Sequence, residues 1–61
     1  MKRYFLKIRK NDRYFTRVTR RFFFEFLYHV YNTWEFKQEN NTEFFYKNNE
    51  LIAFSENYLT L

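Results

Sequence analysis

The sequence contains no cysteine, no glycine and no proline, and His29 is its only histidine. Without cysteine the chain cannot form disulfides, thiolate metal sites or a cysteine nucleophile. One histidine is too few for a zinc or transition-metal site built only from protein ligands. Ser55 and the threonines lack an identifiable base and an orienting partner, so nucleophilic catalysis is not indicated either. We therefore expect a protein that is not an enzyme and that uses no metal or cofactor.

The lack of glycine and proline also limits where the chain can turn. Asparagine and aspartate are the other residues that tolerate left-handed backbone geometry, so turns are expected at them. The profile rich in Phe, Tyr, Asn, Lys and Glu is what A+T-rich codons produce. In composition, although in no motif, the chain resembles small accessory proteins of low-GC phages and mobile elements, or an organelle-encoded subunit.

A chain of 61 residues forms one domain, residues 1–61, and carries 10 Phe, 6 Tyr and one Trp. A domain this short buries only about 60% of the surface of its unfolded chain, so its stability is marginal. Large aromatic side chains, each burying about 150–250 Å², compensate for the small size. The aromatic residues outnumber what such a core needs. Some are therefore expected at the surface or against a partner, which includes a second copy of the chain.

Long hydrophobic runs are missing as well. Glu25 and His29 interrupt the most apolar segment, and no run approaches the roughly 20 apolar residues that span a bilayer. The first ten residues are basic but lack the apolar stretch of a secretory signal. We expect no membrane span and a cytoplasmic location, in the host cell if the protein is phage-encoded, with an organelle matrix as the alternative.

What the sequence does have is an uneven distribution of charge. Residues 1–21 contain nine Lys and Arg residues against Asp12 alone, a net charge of +8. Residues 22–61 contain two Lys against six Glu, a net charge of −4. The first part is therefore interpreted as a basic hairpin and the second as an aromatic, mildly acidic remainder. A strong cationic surface at one end favours an anionic partner.

Residues 4–10 and 14–20 alternate and flank Asn11-Asp12, which predicts a β-hairpin. A three-residue loop, 11–13, pairs Lys10 with Tyr14, Ile8 with Thr16, Leu6 with Val18 and Tyr4 with Arg20. This register is preferred because it collects the apolar residues on one face that can be buried. The opposite face then combines cations with phenylalanines. Together with two arginines that follow the hairpin, the predicted binding face consists of Arg3, Phe5, Lys7, Arg9, Phe15, Arg17, Arg20 and Arg21.

The middle segment fits two patterns. Helical spacing connects Phe23, Leu27, Val30, Tyr31 and Trp34, whereas alternation connects Phe22, Phe24, Phe26, Tyr28 and Val30. We expect a short helix over about 20–28, with Thr19 as its N-cap but no capping box, followed by a strand over about 29–37. Phe23 is predicted to join Leu27 in the core. Phe22 and Phe24 are candidate docking aromatics, at least one of which stays near the surface.

The last third begins with a second predicted hairpin around the loop 38–41. Pairing Phe36 with Phe44 places Trp34 opposite Tyr46 and Lys37 opposite Glu43. The spacing of Leu51, Phe54 and Tyr58 after Asn48 or Asn49 then predicts a helix, and a further hairpin at Asn48-Asn49 is the alternative. The predicted fold is thus α+β: a small antiparallel sheet of two hairpins with one or two short helices packed on it, in ββ(α)ββα order.

The basic face with interleaved phenylalanines is the best functional signal. Cations neutralise phosphates, and aromatic rings or arginine planes stack on unpaired bases, although known nucleic-acid motifs are absent. We expect a small binding protein that acts on nucleic acid or on a nucleic-acid-handling complex, with an acidic protein surface as the other kind of partner. Given its composition, a phage or mobile-element inhibitor of host machinery, similar to anti-CRISPR proteins, is the specific prediction. The alternative is a structural subunit of an organellar ribosome or another large complex.

Overall fold

A computed structural model describes residues 1–9 and 11–57. Along the chain they form β1 (Lys2–Leu6), β2 (Thr16–Val18), α1 (Arg20–Phe26), a π-helical segment (Leu27–Tyr31), β3 (Glu35–Glu39), β4 (Thr42–Lys47) and β5 (Glu50–Asn57). The strands make one antiparallel sheet in the order β2-β1-β5-β4-β3. The α+β class is confirmed, but the order is ββαβββ, because the segment expected to be a final helix is a strand.

The turns follow the prediction made from the missing glycine. Within the described residues, a positive φ occurs at Asn32, Asn40, Asn48 and Asn49, and all four positions are asparagine. Asparagine adopts the left-handed conformation more readily than other residues that carry a Cβ. Asn48 and Asn49 form a two-residue connection between β4 and β5, with φ values of 52° and 65°. Positive φ at both central positions is typical of the hairpin turn that matches the strand twist.

The first hairpin forms, but with a different register from the predicted one. Tyr4 lies opposite Val18 and Leu6 opposite Thr16, so β2 is displaced by two residues and the connection from β1 to β2 is longer than three residues. A displacement of two residues keeps every side chain on its predicted face, because strand side chains alternate with period two. The predicted partners Ile8–Thr16, Leu6–Val18 and Tyr4–Arg20 are therefore wrong, whereas the assignment of faces is kept. Lys10, predicted opposite Tyr14, lies outside the described residues.

The helix begins where Thr19 predicts it. The Thr19 Oγ1 accepts a hydrogen bond of 3.2 Å from the Phe22 backbone N–H, which satisfies a donor in the first turn. The helical region continues to Tyr31, so the strand expected from residue 29 is wrong and β3 begins at Glu35. Asn32 closes the π-helical segment by donating its N–H to the Leu27 carbonyl at 2.7 Å. No helix of the described residues is long and apolar enough to cross a bilayer.

The wider turn of the π-helical segment changes which residues face the sheet. Leu27 is fully buried, but Val30, which belongs to the predicted helical stripe, is 60% exposed. A π-helical hydrogen bond spans five residues, so the α-helical spacing no longer applies beyond Phe26.

The hairpin of β3 and β4 is shifted by one residue from the prediction. Phe36 pairs with Phe45 and Lys37 with Phe44, so the predicted partners Phe36–Phe44 and Lys37–Glu43 are wrong. Tyr46 lies opposite Glu35 instead of Trp34. The cause is a two-residue turn at positions 40–41, which leaves Gln38 and Glu39 inside β3. Because a one-residue shift exchanges the faces, Phe36 and Phe45 face the helix while Phe44 and Tyr46 face the other way.

Residues 50–57 form the central strand β5 instead of the predicted helix. The register against β4 shifts between Phe45, which lies opposite Ala53, and Tyr46, which lies opposite Leu51. The extra residue, Ile52, is buried together with Ala53. Two consecutive core residues break the alternation by which a strand is recognised. Tyr58, part of the predicted helix, lies outside the described residues.

The core lies between one face of the sheet and the helical region. Its buried apolar members are Tyr4, Leu6, Phe23, Leu27, Phe45, Ile52 and Ala53. Phe23 makes the central contacts, with ring centroids 5.1 Å from Tyr4 and 5.3 Å from Phe45. The prediction that Phe23 and Leu27 belong to the core is confirmed, and so is the prediction that at least one of Phe22 and Phe24 stays near the surface, since Phe22 is 45% exposed.

Candidate functional site

A concave surface of about 680 Å³ lies where the N-terminal end of β1, the C-terminal end of β2 and the start of α1 meet. We call it the basic groove. Four cations and one exposed aromatic ring line it: Lys2, Arg3, Arg17, Arg20 and Phe22. Tyr4, Val18 and Thr19 form the rest of its wall. Among the described residues that line the groove, none is acidic.

Two separate stretches of chain, residues 2–4 and 17–22, bring these cations together. The pairing of Tyr4 with Val18 fixes the end of β2 beside the start of β1, so that Arg3 and Arg17 lie on neighbouring strands. Thr19 then ends the strand and caps α1, which places Arg20 and Phe22 in the first turn of the helix. The cap is thus the local feature that joins the basic strands to the basic helix start.

Two acidic residues lie beside this arrangement: Glu56 on β5 is the register partner of Arg3, and Glu43 lies on β4. The Glu43 Oε1 accepts a hydrogen bond of 2.7 Å from the buried hydroxyl of Ser55 and lies 3.2 Å from Lys2 Nζ. The Ser55 hydrogen bond, with a smaller effect of Lys2, holds the pKa of Glu43 below its ordinary value, although partial burial acts in the opposite direction. Glu43 therefore offsets the charge of Lys2, and Glu56 lies opposite Arg3, so Arg17 and Arg20 supply the excess positive charge of the groove.

The groove contains four of the residues predicted from the sequence: Arg3, Arg17 and Arg20 of the binding face, and Phe22 of the docking aromatics. Arg17, Arg20 and Phe22 are exposed, whereas Arg3 is partly buried and lies opposite Glu56 on β5. A guanidinium group presents a planar fork of donors that matches phosphate or carboxylate oxygens. An open groove lined in this way can hold an anionic chain.

The two phenylalanines of the predicted face lie outside the groove. Phe5 stacks on Phe54 of β5, with ring centroids 4.8 Å apart and an interplanar angle of 14°. Phe15 contacts the same ring edge-on at 5.2 Å. These residues belong to the face of the sheet opposite the helix, and there they pack with an aromatic residue of a strand that the sequence did not predict.

The remaining predicted residues are dispersed. Lys7 forms an ion pair of 2.6 Å with Glu50, and Arg21 pairs with Glu25 one helical turn away. Arg9 is exposed in the loop after β1, where its backbone N–H donates to Asp12 Oδ2 at 3.1 Å.

Phe24 is partly buried, and its ring packs against two rings of the core. Its centroid lies 6.1 Å from that of Tyr4 and 5.2 Å from that of Phe23. It contributes to the core and is poorly placed for docking.

A second polar cluster lies at the other end of the helical region and is held by internal bonds. Tyr31 donates its hydroxyl to the Lys7 carbonyl at 2.6 Å, and burial raises the pKa of this hydroxyl. Lys47 Nζ donates to the carbonyls of Tyr31 and Thr33. The described polar groups of this cluster are thus used in fixing the end of the helical region to the sheet.

Sequence reasoning missed Lys2 as a groove residue. Alternation along β1 places Lys2 on the same face as Tyr4 and Leu6, so it was left out of the predicted binding face. Its position at the first residue of the strand is the signal that was available, since a side chain at a strand end can reach around the sheet edge.

Within the described residues, no group of three or more His, Cys, Asp or Glu is arranged to hold a metal ion. Comparison with known proteins gives no relative, because no family model, no curated protein and no solved structure matches the chain. The candidate site is therefore characterised by its own geometry alone.

Proposed function

We propose that the protein binds single-stranded nucleic acid through the basic groove. The observation that supports this proposal is the convergence of four cations and an exposed phenylalanine on one open concavity. Packing of the core does not explain why these side chains lie together, since Arg17, Arg20 and Phe22 are all exposed.

The phosphates of the strand lie against the cations. Arg3, Arg17 and Arg20 come from two strands and a helix, so their guanidinium groups approach a ligand from different sides. Neutralised phosphates release counterions, and this release drives binding in a salt-dependent way. An open groove suits a polymer that extends beyond it at both ends, whereas a small anion is held better in an enclosed pocket.

The preference for an unpaired strand comes from Phe22. Its ring lies among the cations and is 45% exposed, with Phe26 packed against it at 5.7 Å. Aromatic rings bind exposed bases by stacking, with a contribution of about 1–3 kcal/mol per base. Paired bases in a duplex do not offer their faces in this way, so a single strand is bound more tightly.

The prediction of an inhibitor of host machinery depends on amino-acid composition and stays a prediction, as does the alternative of a structural subunit. An acidic protein surface is the competing ligand for the same cations, because carboxylates also accept from arginine. The experiment below separates nucleic acid from an acidic protein.

Two neighbouring arginines give a matched pair of variants. Arg20 lines the groove, whereas Arg21 lies outside it and is paired with Glu25. Fluorescence anisotropy with a labelled single strand of about 20 nucleotides is measured over a series of salt concentrations. Arg20→Gln is expected to weaken binding and to reduce the salt slope by about 0.7, the loss of one phosphate contact, while Arg21→Gln leaves both unchanged.

Phe22→Leu provides the test of base stacking. The variant is expected to weaken binding of the single strand and to leave the salt slope unchanged, because no charge is removed. Absence of binding to single or double strands at about 150 mM salt contradicts the proposal. Protein partners captured with the wild type are then compared before and after nuclease treatment. If they are retained after the treatment and lost with Arg20→Gln, the ligand is an acidic protein surface.

A further inference from the structure

The face of the sheet opposite the helix carries a row of aromatic residues, and we call it the open face. Registered neighbours across the strands define its central row, which runs Arg17, Phe5, Phe54, Phe44, Lys37. Residues directly opposite each other in an antiparallel pair point to the same side. The row is therefore apolar in the middle and charged at both edges.

Aromatic contacts on this face extend beyond the central row. Tyr46 lies 6.4 Å from Phe44, and Phe15 from the loop after β1 contacts Phe54. In the described part of the chain, the helical region packs on the other face, where Phe23 contacts Tyr4 and Phe45. No described helix or strand covers the open face. Contiguous apolar surface of this kind is characteristic of an interaction site.

We propose that two copies of the chain pack face to face through the open face, related by a twofold axis that lies within about 15° of the direction of β5. The strand order places β5 in the middle of the sheet, with β1 and β2 on one side and β4 and β3 on the other. A twofold rotation about this axis lays each half over the opposite half of the partner. Phe54 then lies at the centre, and Phe5 of each copy faces Phe44 of the other.

The charges of the two halves are complementary under this rotation. The edge strand β2 presents Arg17, whereas the other edge strand, β3, presents Glu35, Lys37 and Glu39 on the same face. Arg17 and Lys37 lie in one row, but packed sheets are rotated by about 30° relative to each other. At two strand spacings from the axis, about 10 Å, this rotation shifts the edges by about 5 Å, or about one and a half residues. Arg17 consequently meets a glutamate, whichever way the shift runs.

A second copy also meets the needs of a chain of this size. A domain of 61 residues has a small core, and small domains commonly gain stability from association. The central rings are only partly buried in one chain, so a second sheet, about 10 Å away, completes their burial. The dimer leaves both helices outside and both Arg20 side chains accessible, but Arg17 faces the other copy, so dimerisation and a bound nucleic-acid strand compete for that side chain.

Mass measured by sedimentation equilibrium at increasing protein concentration tests the dimer. The wild type is expected to reach twice the chain mass. Reversing charge at the exposed edge, with Glu35→Arg and Glu39→Arg together, is expected to weaken dimerisation at least tenfold, because these positions face Arg17 of the partner. Adding Arg17→Glu to that variant is expected to restore it. Glu25→Arg, on the helix, is the control and leaves dimerisation unchanged.

A second variant, Phe44→Lys, is expected to abolish dimerisation, because it places a charge in the apolar centre. Circular dichroism shows whether each variant keeps its strands. If Phe44→Lys unfolds, the charge variants alone test the proposal. A wild type that stays monomeric up to about 1 mM overturns the proposal. A dimer that neither the charge reversal nor Phe44→Lys weakens also overturns it, since the copies then meet through another surface.

Discussion

The hydroxyl of Ser55 is 1% exposed and donates a 2.7 Å hydrogen bond to Glu43 Oε1 across the β4–β5 pair. The two residues are register partners, so the hydrogen bond crosses directly between the two strands. Lys2 Nζ, on the other side of β5, reaches the same oxygen at 3.2 Å. A partly buried carboxylate thus ties three neighbouring strands together below the basic groove.

This relationship makes stability depend on pH. The folded state holds the pKa of Glu43 below its unfolded value, so it favours the carboxylate. The resulting stabilisation is present above the unfolded pKa and is lost as the pH falls through the folded pKa. Ser55→Ala is expected to lower the free energy of unfolding by about 1 kcal/mol near pH 7, and the difference from the wild type shrinks below about pH 4.

Denaturant unfolding at several pH values measures this effect, and an NMR titration of the Glu43 side chain follows its pKa. In Ser55→Ala that pKa is expected to rise towards the ordinary value. Glu25→Gln removes an exposed carboxylate from α1 and serves as the control, with a nearly unchanged free energy of unfolding. A difference between Ser55→Ala and the wild type that stays constant down to low pH contradicts the role assigned to Glu43.

Two adjacent phenylalanines, Phe22 and Phe23, differ sharply in burial. Phe23 is 0% exposed at the centre of the core, whereas Phe22 is 45% exposed. Phe23→Leu is expected to lower the free energy of unfolding by about 1–2 kcal/mol, since buried carbon is lost and a cavity is left. Phe22→Leu is expected to change it by less than about 0.5 kcal/mol. Equal losses in the two variants, measured by urea unfolding, contradict the placement of α1 on the sheet.

The ammonium group of Lys47 lies at the C-terminal end of the helical region. It donates to the carbonyl of Tyr31 and to the carbonyl and hydroxyl of Thr33. A cation there interacts favourably with the helix carbonyls that lack intrahelical partners. Lys47→Met is expected to lower the free energy of unfolding by about 1–2 kcal/mol and to speed amide exchange in the π-helical segment.

Lys37 provides the control for Lys47, since it lies on the neighbouring strand and pairs with Glu39 at 3.0 Å. The hydrogen bond that Lys37 donates to Glu39 raises the pKa of Lys37, but both side chains are exposed and solvent screens the pair. At protein concentrations too low for dimerisation, Lys37→Met should leave the stability nearly unchanged. If both variants are equally stable, the end of the helical region does not depend on Lys47.

Local patterns predicted the start of the helix and the sites of the turns, because a cap and a left-handed residue act within a few positions. They failed where packing against an element distant in sequence determines the secondary structure. Leu51 and Phe54 fit a helical stripe, yet β5 is buried in the middle of the sheet, where both faces are apolar and alternation disappears. The register shift at Ile52 removes what alternation is left.

The same difference between local patterns and distant packing explains which residues of the basic groove the sequence predicts. Alternation assigned Arg3 and Arg17 to one face correctly, because the error of two residues in the register preserves the faces. Arg20 lines the groove and the adjacent Arg21 does not. This difference follows from the direction of α1 over the sheet, which the residue spacing within 1–21 does not predict. The sequence does not predict the open face, because the spacing around its central residue, Phe54, predicts a helix where the structure has β5.

The two asparagines of the β3–β4 turn differ in backbone conformation, which gives the last prediction. Asn40 has a φ of 53°, and Asn41 is not among the described residues with positive φ. A left-handed conformation is costly for a residue with a Cβ, and asparagine reduces the cost through local hydrogen bonding. Asn40→Ala is therefore expected to lower the free energy of unfolding by about 1 kcal/mol, whereas Asn40→Gly keeps or slightly raises it. Asn41→Ala, in the same turn, is expected to change it by less than about 0.5 kcal/mol. Thermal unfolding of the three variants separates the two positions. A larger loss of stability at Asn41 than at Asn40 contradicts the turn geometry. It then also contradicts the register of β3 against β4, which follows from this two-residue turn.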